Sequence, residues 1–120
     1  MSQLSKAVSI HPYFKINEGR VDDFKLLIND FIKSTEPEEA CLYYDFSICG
    51  DIAFCREAYV DADAVLTHLG NVGAHIEASG AFSEMIKLEM HGPADQLDKL
   101  REPLAELPVE YFVQIAGVQK

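Results

Sequence analysis

Tryptophan is absent from these 120 residues, and cysteine occurs only three times, as Cys41, Cys49 and Cys55. An odd cysteine count, in a chain whose first residues contain no long apolar segment, excludes a disulfide framework. It predicts three reduced, buried strand residues in a cytoplasmic protein. The cysteine spacings match no zinc pattern, and no His/Cys cluster stands along the sequence, so no metal site is expected. No apolar run approaches the about 20 residues of a membrane-spanning helix. Basic residues are also scarce, with 10 Lys and Arg against 20 Asp and Glu and a net charge of −10. Nucleic acid and anionic membrane surfaces are both repelled by that balance. Glycine-rich phosphate loops and the G-x-S-x-G nucleophile elbow are missing as well.

What is present is enough to build a core. Hydrophobic residues make up 48% of the chain, which suits one domain spanning residues 1–120. Residues 7–16 alternate: Val8, Ile10, Phe14 and Ile16 face one way, and Ser9, His11 and Lys15 the other. That is strand periodicity, interrupted at Pro12, where a bulge or a change of pairing is expected. Asn17-Glu18-Gly19 reads as a turn, with Asn17 or Glu18 capping a helix that runs from Arg20 to about Ser34. Its apolar stripe is Val21, Phe24, Ile28, Phe31 and Ile32.

Two alternating segments, 41–48 and 52–60, flank a hairpin turn at Gly50-Asp51. Asp61 is placed to cap a second helix, whose face carries Val65, Leu69, Val72 and Ile76; Gly70 and Gly73 predict fraying of its second half. A strand over 82–91 follows. Gly92-Pro93 then opens a third helix with proline in its first turn, Pro103 interrupts that helix, and a last strand covers 109–116.

The order β-α-β-β-α-β is that of a ferredoxin-like α+β fold, with a core over 7–91 and a helix-strand extension over 92–116. Both crossover helices lie on one face of such a sheet. Tyr43, Tyr59, Met85 and Phe112 are candidates for the uncovered face. A second copy laid sheet to sheet would cover it, so a homodimer is expected. The last strand could extend its own sheet or reach across to the partner.

Among titratable residues, His68 lies at the border of the apolar face of the second helix, with His75 two turns further on. A border histidine could shuttle protons or hold a polar substrate atom; equally, it could be a half-buried side chain bonded to a carbonyl. Glu57 stands on a strand expected to be central, so an inward carboxyl must be paired or neutral. It could orient a histidine or accept a proton, or form an ion pair with Lys15, Lys87 or a residue of a partner chain. Tyr13, Tyr44 and Tyr59 are either ligand-bonding hydroxyls or ordinary strand tyrosines. His11 lines either the cleft or the dimer interface.

The run Phe14-Lys15-Ile16-Asn17-Glu18-Gly19-Arg20 with Phe24, and Arg56-Glu57-Ala58-Tyr59-Val60-Asp61-Ala62-Asp63-Ala64-Val65 with His68, resemble two signatures of the antibiotic biosynthesis monooxygenase (ABM) domains. The resemblance covers roughly residues 7–91. It implies a dimeric α/β barrel, some of whose members oxidise quinols or polyketide aromatics with molecular oxygen and no metal or flavin. It implies His68 and Glu57 as the catalytic groups and Tyr44 as a hydroxyl donor. With His11, Tyr59 and His75 they make up the candidate site for a small aromatic substrate. Tyr59 stands where many relatives have tryptophan, and the lack of any tryptophan sets the chain apart from the haem-degrading branch. The expected function is a cofactor-independent monooxygenase of a small quinol or phenol. The alternatives are a non-catalytic dimer that binds a small molecule or regulates a partner, and an isomerase or decarboxylase on the same scaffold.

Overall fold

The computed structural model describes residues 4–120. Its elements follow the expected order: β1 (Val8–Ile16), α1 (Val21–Thr35), β2 (Cys41–Cys49), β3 (Ile52–Tyr59), α2 (Ala62–Ser79), β4 (Ser83–Gly92), α3 (Ala94–Arg101) and β5 (Glu110–Val113). They form one five-stranded sheet in the order β2-β3-β1-β4-β5. The first four strands pair antiparallel, and β5 adds to β4 in parallel. The final strand therefore extends its own sheet. No helix among the described residues is long and apolar enough to cross a membrane.

Alternation decides which face each strand buries. Val8, Ile10, Phe14 and Ile16 of β1 are buried and pack with Phe24 of α1, Val65 of α2 and Leu97 and Leu100 of α3. The two glycine turns need backbone that L side chains rarely adopt: Gly19 has φ +78° and Gly50 has φ +61°.

Pro12 sits on the central strand, where a proline is unusual. Its missing N–H is accommodated because β1 pairs with β3 at Ile10–Glu57 and next at Tyr13–Phe54, leaving His11 and Pro12 out of that ladder. On the other side, the register with β4 shifts between Tyr13 and Phe14. The interruption lies beside the cavity described below, which Pro12 and Cys55 help to line.

Several local expectations are corrected. α1 starts after Arg20 with no side-chain cap, so neither Asn17 nor Glu18 caps it. Pro93 stands just before α3, in extended backbone, rather than inside its first turn. α2 runs unbroken through Gly70 and Gly73 to Ser79, because tertiary packing of Val65, His68 and Val72 outweighs the weak propensity of two glycines. Cys55 is buried, but Cys41 is partly exposed and Cys49 exposed, since they are the two end residues of the edge strand β2. Tyr59 and Met85 are not on the uncovered sheet face. Tyr59 is fully buried on the helix side and Met85 lines the cavity. The outer face instead carries Tyr43 and Phe112, both half-exposed, together with Tyr13 and Phe54, whose rings lie 4.8 Å apart.

The cap of α2 is the Asp61 carboxylate, which accepts from the Ala64 N–H at 2.9 Å. Asp61→Ala leaves that N–H without its partner and is expected to cost about 1 kcal/mol of stability. Chemical denaturation of both proteins measures it; an unchanged midpoint would show that the cap carries no net stability.

Candidate active site

Between the sheet and α2 lies a cavity of about 200 Å³. Its wall is mostly apolar, from Ile10 and Phe14 of β1, Phe31 of α1, Phe46 of β2, Val72 of α2 and Leu88 of β4. Leu104 and Leu107, from the segment that joins α3 to β5, close one side. Polar groups enter the wall at Glu57, His68, Tyr44 and Cys55. An apolar cavity with a few convergent polar groups is the usual form of a small-molecule site.

The strand parity of β3 puts Cys55, Glu57 and Tyr59 on the cavity side. Glu57 is only 4% exposed. The Tyr59 hydroxyl donates to its Oε1 at 2.7 Å, and His68 Nε2 lies 3.4 Å from the same oxygen. Neither Lys15 nor Lys87 reaches it: Lys15 pairs with Asp51 and Lys87 with Glu89. Burial pushes the Glu57 carboxyl up to about 7, against the pull of the Tyr59 and Cys55 hydrogen bonds. Burial likewise raises the Tyr44, Tyr59 and Cys55 groups, so all three stay protonated.

His68 is fixed from the other end. Its Nδ1 lies 3.0 Å from Glu38 Oε2, and Asn71 Nδ2 donates to that same oxygen at 2.7 Å. Glu38 accepts from Nδ1–H, which assigns the tautomer whose Nε2 lone pair faces Glu57. Burial lowers the His68 pKa although Glu38 raises it. His68 and Glu57 satisfy the geometry of an ion pair, but 3.4 Å is long for one, and desolvation disfavours charge on both groups. The pair is a neutral imidazole beside a carboxyl that exchanges its proton near neutral pH.

The six residues singled out by sequence do not all converge. Glu57, His68 and Tyr44 line the cavity, and the Tyr44 ring meets the His68 ring edge-on at 5.1 Å. Tyr59 stands behind Glu57 as a hydrogen-bond donor. His75 is not in the wall: it bonds Ser34 Oγ at 2.9 Å and packs against Phe31, joining α2 to α1. His11 is on the opposite face of the sheet, because it alternates with the cavity-facing Ile10 and Pro12. Three supporting residues escaped the sequence reading: Glu38, Asn71 and Cys55. Asn71 and His75 follow His68 on α2 at three and seven residues, which is a polar stripe along one helix face. That stripe was the available signal for a partner near the end of α1.

The chain matches solved structures along nearly its whole length or most of it. MupZ from Pseudomonas fluorescens is 36% identical, with a TM-score of 0.92 over 96% of this chain and 95% of MupZ. A Caulobacter crescentus protein described as an antibiotic biosynthesis monooxygenase superposes with a TM-score of 0.63, at 19% identity, over 72% of this chain and 89% of its own. A further antibiotic biosynthesis monooxygenase gives a TM-score of 0.61 at 16% identity, over 69% and 92%. No family model matches the sequence, and no curated protein does.

The opposite pKa displacements of Glu57 and His68 give opposite pH dependences of stability. Glu57 titrates near 7 when folded and near its ordinary value when unfolded. Between about 4.5 and about 7 the native state holds a proton that the unfolded chain has lost. Its contribution is therefore greatest at low pH and falls as pH rises through that window. His68 is lowered when folded, so its contribution falls as pH drops below the usual histidine value of about 6.5. Glu57→Gln is expected to remove the loss of stability that accompanies rising pH between about 4.5 and about 7 and to keep the loss on acidification below about 6.5, and His68→Gln the reverse. Denaturation curves at pH 5, 6, 7 and 8 on the three proteins read this out; parallel curves for native and Glu57→Gln would refute the raised carboxyl.

Proposed function

This chain belongs to the family of MupZ and has the antibiotic biosynthesis monooxygenase fold, and on that footing we propose that it is an acid–base enzyme for a small, mainly apolar substrate bearing a hydroxyl group. The observation that carries this reading is the Glu57 carboxyl, buried at the polar end of an apolar cavity and aligned with His68. A carboxyl poised near neutral pH exchanges a proton at little cost in either direction. His68, held by Glu38 and Asn71, relays that proton and keeps one orientation while doing so. The apolar wall excludes water from the charged species that forms.

We propose further that the enzyme is a cofactor-independent monooxygenase of a quinol or polyketide aromatic. Removal of the substrate hydroxyl proton by the Glu57–His68 pair leaves an electron-rich phenolate. Its ring carbon reacts with molecular oxygen: one oxygen atom is retained as the new carbonyl, and the other leaves as water. The substrate supplies both the electrons and the hydrogens, so no external reductant enters. Tyr44, whose phenol burial keeps protonated, is the candidate hydroxyl donor to the substrate oxygen. A second reading is supported by the same pair. It offers a proton donor in Glu57–H as well as an acceptor in His68, which suits isomerisation or ring chemistry without oxygen. The aromatic outer sheet face supports a homodimer formed sheet to sheet.

Quinols and dihydroxyaromatics offered in air and under nitrogen separate the two chemistries. Turnover with oxygen uptake is expected in air, and Glu57→Gln or His68→Ala should lower it by about 10²–10⁴-fold. Turnover of equal rate under nitrogen would transfer the site to proton-transfer chemistry. Bound ligand with no turnover in either atmosphere would leave a binding protein.

A second variant tests the cavity itself. A Cβ added at Gly73 meets nothing within 4 Å, and Gly73 lines the cavity wall. Gly73→Leu is expected to stabilise α2 by about 0.5–1 kcal/mol while abolishing ligand binding. Retained binding at full affinity would place the substrate elsewhere.

A further inference from the structure

The outer face of the sheet holds a second cluster of ligating groups, independent of the cavity. β1 and β4 pair so that His11 lies opposite Glu89 and Ser9 opposite His91. Strand alternation then puts Glu89 and His91, two residues apart, on one face beside His11. Each offers one ligand atom, and the three atoms lie within 4.8 Å of one another. His91 Nε2 is already 3.2 Å from Glu89 Oε1, and the two imidazole rings are 4.4 Å apart.

We propose that His11, Glu89 and His91 form a binding site for one divalent first-row transition-metal ion. Two imidazoles and one carboxylate are the donor set such ions prefer over calcium or magnesium. Ligands around a zinc ion with bonds of about 2.0–2.1 Å stand about 3.3 Å apart, so the cluster closes on an ion by small side-chain rotations. The supporting contacts needed to hold ligands in place exist too. Ser9 Oγ bonds His11 Nε2 at 2.8 Å, which leaves the other ring nitrogen for the ion. Phe112 of β5 stacks on His91 at 4.6 Å and 14°, fixing that ring. One competitor is present: Lys87 Nζ pairs with Glu89 Oε2 at 3.0 Å. Its charge opposes a cation without occupying Oε1. The sheet separates this cluster from the Glu57 cavity, so the ion braces the β1–β4–β5 face and takes no part in proton transfer.

Zinc titration by calorimetry, on chelator-stripped protein in its native oligomeric state, tests the site. One Zn²⁺ per chain is expected. Glu89→Gln and His91→Ala should each weaken binding by about tenfold or more. His75→Ala, which removes a histidine outside the cluster, should leave it unchanged. Lys87→Gln should tighten it at least about twofold, by removing the competing cation. Circular dichroism confirms that each variant is folded, and Glu89→Gln, a partly exposed and isosteric change, carries the test if His91→Ala does not fold. No Zn²⁺ binding, equal binding by native protein and Glu89→Gln, or half an ion per chain would each overturn the proposal.

Discussion

The constraint on which the rest of the site depends is the cost of burying the Glu57 carboxyl. A carboxylate removed from water without compensation is several kcal/mol unfavourable, so the group must be neutralised, hydrogen-bonded or both. Here the Tyr59 hydroxyl and the His68 imidazole supply polar partners, while desolvation pushes the carboxyl up to about 7. Each partner needs its own support. His68 therefore needs Glu38, Glu38 needs Asn71, and both sit where the end of α1 meets the middle of α2. One buried carboxyl on β3 thus fixes the relative placement of two helices and a loop. The chain of hydrogen bonds it requires is also a path for a proton.

The cavity follows from the same region by a different route. Pro12 removes a ladder donor on the central strand, and the β1–β3 pairing lapses at His11 and Pro12. Gly73 removes a side chain from the facing turn of α2. Both are unfavourable choices for local structure, since a central strand disfavours proline and a helix interior disfavours glycine. Such local conflicts are expected to gather where function, rather than stability, decides the residue. That they fall on opposite walls of one cavity, beside a carboxyl of raised pKa, is a coincidence of three independent signals.

Most of the fold was legible in the sequence because its signals are local and periodic. Alternation placed the strands, the Asp61 cap and the apolar stripes placed the helices, and both glycine turns fell where the backbone requires them. The pairing of Glu57 with His68 was also within reach, since a cavity-facing strand position and a helix-border position converge in this topology. What stayed hidden was long-range. Glu38 reads as one of two acids in a connection, and only the α1–α2 contact shows that its carboxylate meets His68. His75 carries the same border signature as His68, yet it turns toward α1, where it bonds Ser34 and packs on Phe31, while its neighbours Val72, Gly73 and Ile76 line the cavity. Tyr59 and Met85 were assigned to the wrong face for a related reason. Size and apolarity do not reveal parity, and for Met85 the bulge in β4 shifts it.

The outer face of the sheet follows the same logic with the opposite outcome. Sequence spacing alone gave no metal pattern, because the ligands lie on two strands and meet through register rather than through a loop. A pair at two-residue spacing on β4 and a single histidine across on β1 is a common consequence of antiparallel pairing, and by itself carries little meaning. Its weight here comes from what surrounds it. His11 is bonded by Ser9, His91 is stacked by Phe112, and Glu89 is shared with Lys87. Side chains on the outer sheet face lose rotamer freedom when held this way. β5 supplies Phe112, and it also ends the segment that brings Leu104 and Leu107 to the cavity. The C-terminal extension therefore touches both faces of the sheet. An ion that orders His91 and Phe112 would steady β5, and through β5 the cover of the cavity. The two sites, separated by the sheet, are joined by the one strand that lies outside the ferredoxin-like core.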